Sequence, residues 1–254
     1  MRSIDLNCDM GELREAIDDG SQAAIMPFLT SINVACGGHA GDESMMSATI
    51  AQALRWKLAV GAHPSYPDRT NFGRVAMEMP AEAIAQAILE QVQSLASVAA
   101  RYGISLSHVK PHGALYNVAA QDADIASAIA DGVSRWSKSV VLVGLAGSTM
   151  LEVFRSAGFA VAAEAFADRR YEANGSLRGR TFADALIREP AVAAEQVVDM
   201  VEEGRITAVD GSRIPVQAAT ICVHGDTPGA LEIARAVAGG LKSRGIEMRS
   251  LRAG

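Results

Sequence analysis

Seven short apolar runs recur along the chain, and helical stretches separate them. The runs cover 3–8, 31–36, 57–62, 107–111, 140–145, 159–166 and 219–225. The clearest helical stretch covers 81–103, with Pro80 before it and Gly103 at its end as start and stop signals. The runs are nearly continuous rather than alternating, as is typical of strands covered by helices. The order predicts an α/β fold with a parallel sheet and right-handed crossovers.

The pattern alone allows an open doubly wound sheet or a closed barrel. The length of 254 residues fits one α/β domain, here 1–254, and no repeat or linker divides it. No GxGxxG opens the first crossover and no GxxxxGK[ST] occurs, so neither a dinucleotide-binding motif nor a P-loop is expected. The turn signal Asp210-Gly211 predicts a β-hairpin insertion near 204–217.

Charge and cysteine usage narrow the class of protein. A net charge of −6 argues against a nucleic-acid binder, which needs a basic face. No apolar stretch is long enough to span a membrane and no signal-peptide core is found, so a cytoplasmic enzyme is expected. The cysteines, Cys8, Cys36 and Cys222, lack CxxC spacing and lie in apolar runs, which predicts buried reduced thiols.

Four of the five histidines follow predicted strands: His39, His63, His112 and His224. The carboxyl ends of parallel strands meet at one rim, where ligands of such folds bind. The same rim is expected to carry Asp9, Asp42, Lys110, Asp226 and the stretch 167–170. A single histidine near a strand end is most often a structural hydrogen-bonding residue, but four together favour a pocket. His108 lies within its strand, and no catalytic role is expected for it.

The first strand carries polar residues on one face. A side-chain period of two places Asp5, Asn7 and Asp9 together, on the inside if the sheet closes into a barrel. A buried carboxylate is costly without a partner, so Asp5 and Asp9 are expected to meet a cation, a metal ion or hydrogen-bond donors.

Two chemistries fit aspartate and histidine at one rim. One is a divalent metal ion held by two histidines and an aspartate, with water in the open position. The other is metal-free acid–base catalysis on a small polar substrate. Lys110 is expected to bind an anionic substrate group or a developing oxyanion. The chain has no HExxH motif, so the spacing does not decide between the two.

Seven segments together resemble the LamB/YcsF family: DLNCDMGE, NVACGGHAGD, GAHPSYPDR, FGR, VKPHGALYN, EAFADRRY and CVHGDTPGA. The resemblance runs from residue 5 to about 240. It implies a single-domain (β/α)7 barrel similar to carbohydrate deacetylases. It also implies a place in a cytoplasmic, ATP-hydrolysing 5-oxoprolinase, a hydrolase of cyclic amide C–N bonds that opens 5-oxo-L-proline (pyroglutamate) to L-glutamate together with subunits B and C.

The resemblance also carries over site residues. Its motif positions are Asp5, Asn7, Asp9, Glu12, His39, Asp42, His63, Asp68, Lys110, His112, Asp168, Arg169, His224 and Asp226. The residues expected to act in catalysis are Asp9, His39, His63, Lys110, His112 and His224. Those expected to bind substrate are Asn7, Asp42, Asp168 and Arg169, and a metal ion would be held by Asp9, His39 and His63. ATP with Mg²⁺ is expected as co-substrate, handled partly by the partner subunits.

Two interpretations compete with this one. A stand-alone metal-dependent deacetylase or amidohydrolase of related fold would need neither ATP nor partners. A non-catalytic binding subunit would bind the lactam without contributing catalytic groups.

The chain departs from the family pattern in two motifs. It reads GELREAID where the family continues GEGFG, and GGHAGDE where the family has GFHAGDP. Gly38 thus replaces an aromatic residue and Glu43 a proline. The loss of a ring at Gly38 is expected to enlarge the substrate site, which leaves open a substrate other than pyroglutamate.

Overall fold

The computed structural model describes residues 2–225, 227 and 229–251. Within them the strands are β1 Ser3–Met10, β2 Ser31–Ala35, β3 Ala59–His63, β4 His108–Val109, β5 Val141–Leu145, β6 Ala160–Phe166, β7 Arg205–Thr207, β8 Arg213–Pro215, β9 Thr220–Cys222 and β10 Glu247–Met248. The α-helices are α1 Arg14–Asp18, α2 Ser21–Ile25, α3 Glu43–Trp56, α4 Ala81–Ala100, α5 Gly113–Ala119, α6 Ala123–Ser134, α7 Thr149–Ser156, α8 Pro190–Glu203 and α9 Ala230–Ser243. A short 3-10 helix covers Met26–Phe28.

Seven parallel strands of the described chain close into a barrel. Their order is β1-β2-β3-β4-β5-β6-β9, and β9 pairs back onto β1 at Asp5↔Thr220. The seven predicted strands are therefore confirmed, and the closed barrel replaces the open sheet. Strand β10 lies outside this ring and pairs in parallel with the start of β1, at Ser3↔Glu247.

Apolar packing lies between the barrel and its helices. Helix α4 buries Ile84, Ile88, Val92 and Leu95, a stripe at helical spacing that faces inward. Each such buried side chain contributes about 1.5–3 kcal/mol relative to an exposed one. The three cysteines are buried free thiols, as predicted.

Two elements leave the barrel pattern. Strands β7 and β8 form an antiparallel hairpin whose turn contains Gly211 at φ 85°. A long connection, 167–189, joins β6 to α8 over the carboxyl rim and carries only isolated bridges, such as Arg169↔Leu186.

None of the helices in the described ranges is both long and apolar enough to cross a membrane.

Candidate functional site

Three histidines and two carboxylates meet at the carboxyl rim. His63 ends β3, His112 precedes α5, and His39 lies in the loop after β2. Glu12 Oε1 lies 2.9 Å from His39 Nε2 and 3.4 Å from His112 Nδ1. Asp9 Oδ2, on β1, lies 3.2 Å from His63 Nε2. The rim predicted from strand ends therefore brings these side chains into one cluster.

The backbone fixes which nitrogen of two histidines carries a proton. His63 Nδ1 lies 2.8 Å from the carbonyl of Lys110, and His112 Nε2 lies 3.0 Å from the carbonyl of Phe72. Carbonyl oxygens only accept, so both nitrogens donate. In the neutral rings the other nitrogens then carry lone pairs, and they face each other at 2.9 Å. Two imidazole lone pairs and two carboxylates converge here, a set of acceptors suited to a shared proton, a water molecule or a cation.

Burial keeps His39 and His112 neutral. The pKa of His39 and that of His112 are each lowered to about 2, first by burial and then by the charge of His63. Their rings stack at 3.6 Å with an interplanar angle of 4°. Neutral imidazole is the form that accepts a proton or binds a metal ion.

An unusual loop conformation supports His112. Phe72 adopts φ 55°, in the left-handed region, and its carbonyl accepts from His112. Its ring lies edge-on to His39 at 5.3 Å and to His112 at 5.6 Å. Gly73, next in the chain, also has positive φ, and an added Cβ would lie 2.9 Å from the Cβ of His39. A strained non-glycine residue beside a polar cluster is characteristic of functional sites.

Lys110 holds Asp9 from inside the barrel. Its ammonium lies 2.9 Å from Asp9 Oδ1, 2.9 Å from Glu164 Oε1 and 3.2 Å from Cys222 Sγ. Burial alone would lower the pKa of Lys110, but Asp9, Cys222 and Glu164 outweigh it and raise the pKa well above its usual range. The amine therefore stays charged, and its donors already have acceptors. The expected oxyanion role of Lys110 does not match this geometry, because an oxyanion would have to displace one of them.

A chain of fixed amides and imidazole also holds Asp9. Asn33 Nδ2 donates to Asp9 Oδ1 at 2.7 Å, and His108 Nε2 donates to Asn33 Oδ1 at 2.8 Å. Asn7 Oδ1 accepts from Asn33 at 2.8 Å. With Lys110, these contacts direct the other oxygen of Asp9 toward His63.

Three hydroxyl groups donate hydrogen bonds to the carboxylate of Asp5. Thr30 and Ser31 donate to its carboxylate at 2.6 and 2.8 Å, and Thr220 donates at 2.5 Å. Burial raises the pKa of Asp5, against the effect of these donors. The prediction that Asp5 and Asp9 meet donors or a cation is confirmed.

His224 forms a separate pair at the same rim. Its Nδ1 lies 2.8 Å from Asp168 Oδ1, and Thr227 donates to Asp168 Oδ2 at 2.6 Å. Burial alone would raise the pKa of Asp168, but His224 and Thr227 outweigh it and the pKa is lowered. The ring of His224 stacks on Phe166 at 5.2 Å. Asp226, expected beside it, lies outside the described residues.

A cavity of roughly 460 Å³ opens beside these groups. Asp9, Glu12, His63, Lys110, His112 and His224 line one part of it. Arg74, Arg169 and Arg180 also line it, the last two from the connection 167–189. A concave site with a few convergent polar groups is the usual form of a small-molecule site.

Several predicted substrate residues lie elsewhere. Asp42 caps α3, accepting from Met45 N at 2.8 Å and pairing with Arg14 at the surface, and it does not line the cavity. Asn7 and Asp168 are buried behind the cavity wall, where they hold Lys110 and His224. Of the four residues expected to bind substrate, Arg169 alone is among the described cavity-lining residues.

The expectation for Gly38 is wrong. A Cβ there would lie 2.2 Å from Gln91 Oε1 and 2.5 Å from Ser65 Oγ, so side chains of the protein fill the space beside it. The Gln91 amide accepts from the backbone N–H of Ser65 and donates to its carbonyl. Gly38 is not among the cavity residues. The missing ring therefore makes room for Gln91 rather than for a larger substrate.

Sequence reasoning leaves some site residues without a role. Glu12 is only a motif position there, although it contacts two histidines. Glu164 is missed altogether; it is a fully buried carboxylate on β6 that pairs with Lys110. An acidic residue within the apolar run 159–166 is the available signal, since a charge there needs a partner inside the barrel.

The donor set fits a divalent metal ion in part. Glu12 Oε1, His39 Nε2, His63 Nε2 and His112 Nδ1 lie within 4.8 Å of one another. Tetrahedral ligands of zinc lie roughly 3.3 Å apart, and the measured separations of 2.9, 3.4 and 4.0 Å bracket that value. Because His39 and His112 stack in parallel, one ion cannot lie in both ring planes. Glu12, His63 and His112 are the better set, and Glu12 takes the place expected for Asp9.

A second group of possible ligands is Asp9, Cys222 and His224. The ammonium of Lys110 lies 2.9 Å from Asp9 and 3.2 Å from Cys222. The lysine thus already provides the positive charge between two of these three residues.

Comparison with known proteins gives consistent matches over the whole chain. The model of the LamB/YcsF family matches residues 4–254. The A subunit of 5-oxoprolinase from Chloroflexus aggregans is 49% identical over 252 residues, covering 99% of this chain and 100% of that protein. The crystal structure of a lactam utilization protein from Thermus thermophilus has a TM-score of 0.89 at 37% identity, covering 99% and 100%. A family 4 carbohydrate esterase from Streptomyces lividans has a TM-score of 0.48 at 12% identity, covering 97% and 91%, and supports no conclusion about this chain.

Proposed function

Because the chain belongs to the LamB/YcsF family, we propose that it is the A subunit of an ATP-dependent 5-oxoprolinase. The reaction is the hydrolysis of the lactam of 5-oxo-L-proline to L-glutamate, coupled to hydrolysis of ATP. The names of the relatives, a 5-oxoprolinase A subunit and a lactam utilization protein, support this proposal. So does a cavity of about 460 Å³ that holds both acid–base and cationic side chains.

The observation that carries the proposal is the convergence of proton acceptors on one point of the cavity wall. His63 Nε2 and His112 Nδ1 lie 2.9 Å apart, with Asp9 Oδ2 and Glu12 Oε1 beside them. A water molecule at this point donates its protons to the acceptors and presents an oxygen lone pair to the substrate. This is the arrangement that general-base catalysis of amide hydrolysis needs.

The chemical step follows from this geometry. The water oxygen forms a bond to the lactam carbonyl carbon, and its proton passes to His63, where Asp9 stabilises the imidazolium. His112 stays neutral and accepts a hydrogen bond at the same point. The carbon–nitrogen bond of the ring then breaks, and the nitrogen takes a proton to leave as the amine of glutamate. Lys110 and Asn33 keep Asp9 ionised and oriented throughout.

ATP enters through partner subunits in this proposal. Opening of a five-membered lactam is unfavourable near neutral pH, so coupling to ATP supplies the driving force. The lactam oxygen takes the γ-phosphoryl group and ADP is released, and the group then leaves as phosphate when water attacks the ring carbon. The sequence has no P-loop motif. We therefore assign much of the handling of ATP and Mg²⁺ to subunits B and C, in a cytoplasmic complex.

Reconstitution tests the proposal. Glutamate release from 5-oxo-L-proline and ATP is measured for the chain alone, for subunits B and C alone, and for all three. We expect turnover only with all three. Full activity of the chain alone would remove the partner requirement, and no activity in any combination would remove the oxoprolinase assignment.

The His112→Ala substitution tests the acid–base role. In the reconstituted complex we expect turnover to fall by at least about 100-fold, because the variant loses one of the paired proton acceptors. The melting temperature of the variant is measured beside the activity, because the ring also stacks on His39. Unchanged turnover in a folded variant would exclude His112 from the chemistry.

The partial fit of Glu12, His63 and His112 to a divalent ion favours a second candidate, a metal-dependent amidohydrolase that needs no ATP. Such an ion would lower the pKa of a bound water molecule and polarise the amide carbonyl. Metal content of the gently purified chain distinguishes the candidates. One tightly bound divalent ion per chain, lost in His63→Ala, together with inactivity in the three-subunit assay, would favour the metallohydrolase.

A further inference from the structure

One buried cation in the cavity, Arg169, has no counter-charge among the described residues. Arg169 is 6% exposed, and in the described chain the one hydrogen bond of its side chain runs from Nη2 to the carbonyl of Arg178, at 2.6 Å. Its Nε is buried and has no acceptor. No carboxylate of the described residues forms an ion pair with it, although a buried charge is costly unless it is paired.

Charged residues close to Arg169 in the described chain do form ion pairs, unlike Arg169 itself. Arg178, on the same connection, pairs with Glu172 at 2.9 Å and with Asp184 at 2.7 Å. Asp168, next to Arg169 in the chain, is used by His224 and Thr227. These three described carboxylates of Asp168, Glu172 and Asp184 are therefore committed to other groups.

Two further guanidinium groups, those of Arg180 and Arg74, line the cavity together with Arg169. Burial, and then the charge of Arg180, lower the pKa of Arg169. Guanidinium groups are placed together at this cost where an anion binds between or beside them, because the planar group matches the two oxygens of a carboxylate.

We propose that Arg169 binds the carboxylate of the substrate, so that the chain selects lactams that carry a carboxylate and discriminates against neutral lactams. This proposal rests on the proposed function for the identity of the ring. Arg169 lines the cavity that His63 and His112 also line, so one small molecule can meet both. Binding the carboxylate at one end fixes the ring and directs its carbonyl toward the paired histidines.

Binding of two ligands to the full chain tests this. They are 5-oxo-L-proline and 2-pyrrolidinone, the same ring without the carboxylate, measured by calorimetry. We expect the wild type to prefer 5-oxo-L-proline, and Arg169→Gln to weaken its binding by about 30-fold or more while leaving 2-pyrrolidinone unchanged. Arg169→Lys, which keeps the charge without the planar fork, should recover part of the loss.

The matched control is Arg170→Gln. Arg170 is the adjacent arginine of the same connection, is half-buried, and is not among the cavity residues. The Arg170→Gln variant should bind 5-oxo-L-proline and 2-pyrrolidinone with the affinities of the wild type. If Arg169→Gln does not fold, Arg169→Lys serves instead. Its affinity for 5-oxo-L-proline relative to 2-pyrrolidinone is then compared with the same ratio for the wild type, and it should be lower. Equal affinity of the wild type for both ligands would overturn the proposal.

A second probe separates this proposal from the proposed function. Inorganic phosphate is titrated while the melting temperature is followed. Stabilisation by phosphate that depends on Arg169, without preference for 5-oxo-L-proline, would assign the site to a phosphoryl group and overturn the carboxylate assignment. An intact preference for 5-oxo-L-proline without turnover in the three-subunit assay would leave the carboxylate site standing and remove the oxoprolinase reaction.

Discussion

At the scale of single residues, the barrel interior is unusual for its charge. Lys110, Asp9 and Glu164 lie together with Asn7 and polar neighbours, where most folds place apolar side chains. The ammonium carries the only positive charge within hydrogen-bonding distance of Glu164 among the described residues. The orientation of Asp9 toward His63 therefore depends on one lysine.

Substitution of Lys110 by Met should destabilise the protein strongly. It leaves the buried carboxylate of Glu164 and the half-buried carboxylate of Asp9 without their shared counter-ion, which costs about 3–5 kcal/mol. Urea unfolding near neutral pH measures the loss. Lys242→Met, at an exposed position on α9, is the matched control and should stay within about 0.5 kcal/mol of the wild type. A similar free energy of unfolding for both variants would show that the lysine contributes no more than its side-chain packing.

At the scale of elements, the barrel strands and the long helices follow from the sequence, but the short helices do not. Helix α4, Ala81–Ala100, lies within the predicted 81–103. Strand β4 covers only His108–Val109 rather than 107–111, because Pro111 has no N–H and α5 begins at Gly113. The sequence pattern does not predict helices α1, α2 and α5, since five to seven residues give too little periodicity.

Strand β3 contains a glycine that the interior requires. A Cβ at Gly61 would lie 2.2 Å from His108 Nε2, the atom that donates to Asn33. Gly61→Ala should therefore cost about 1–3 kcal/mol of stability through overpacking. Gly239→Ala, on α9 with nothing within 4 Å of its added Cβ, should be neutral or stabilising. Thermal unfolding compares the two, and equal melting temperatures would contradict the tight contact.

At the scale of the whole molecule, closure of the sheet decides where the polar groups meet. Pairing of β9 with β1 brings Cys222 beside Asn7, and with it the loop that carries His224. An open sheet with the same elements would separate the first strand from the last. The cluster around Asp9 is thus a consequence of the barrel.

Acid sensitivity of the folded state is a further whole-molecule property. Burial, followed by the charges of Lys110 and His63, lowers the pKa of His108 to about 3 from 6.5. Below pH 6.5 His108 binds a proton in the unfolded chain, but in the folded chain it stays neutral down to about pH 3. Stability should therefore fall with pH between 6.5 and about 3, by about 1.4 kcal/mol per pH unit for this group.

The His108→Gln variant isolates this contribution. Its amide can still donate to Asn33, but it does not titrate. Urea unfolding at several pH values between 4 and 6.5 should give a shallower slope than the wild type, whatever the stability of the variant at neutral pH. An unchanged slope would mean that His108 is protonated in the folded protein.

The sequence alone determined the repeating strands and helices, the single rim and the inward face of β1. These depend on local periodicity and on side chains that alternate along a strand, which neighbouring residues set. It left open barrel closure, misplaced Asp42 and Gly38, and gave no role to Glu164 or Glu12. Only the tertiary structure decided these, because which donor meets which acceptor depends on residues over a hundred positions apart, such as Asn7 and Glu164. Burial then fixes how each of them is charged.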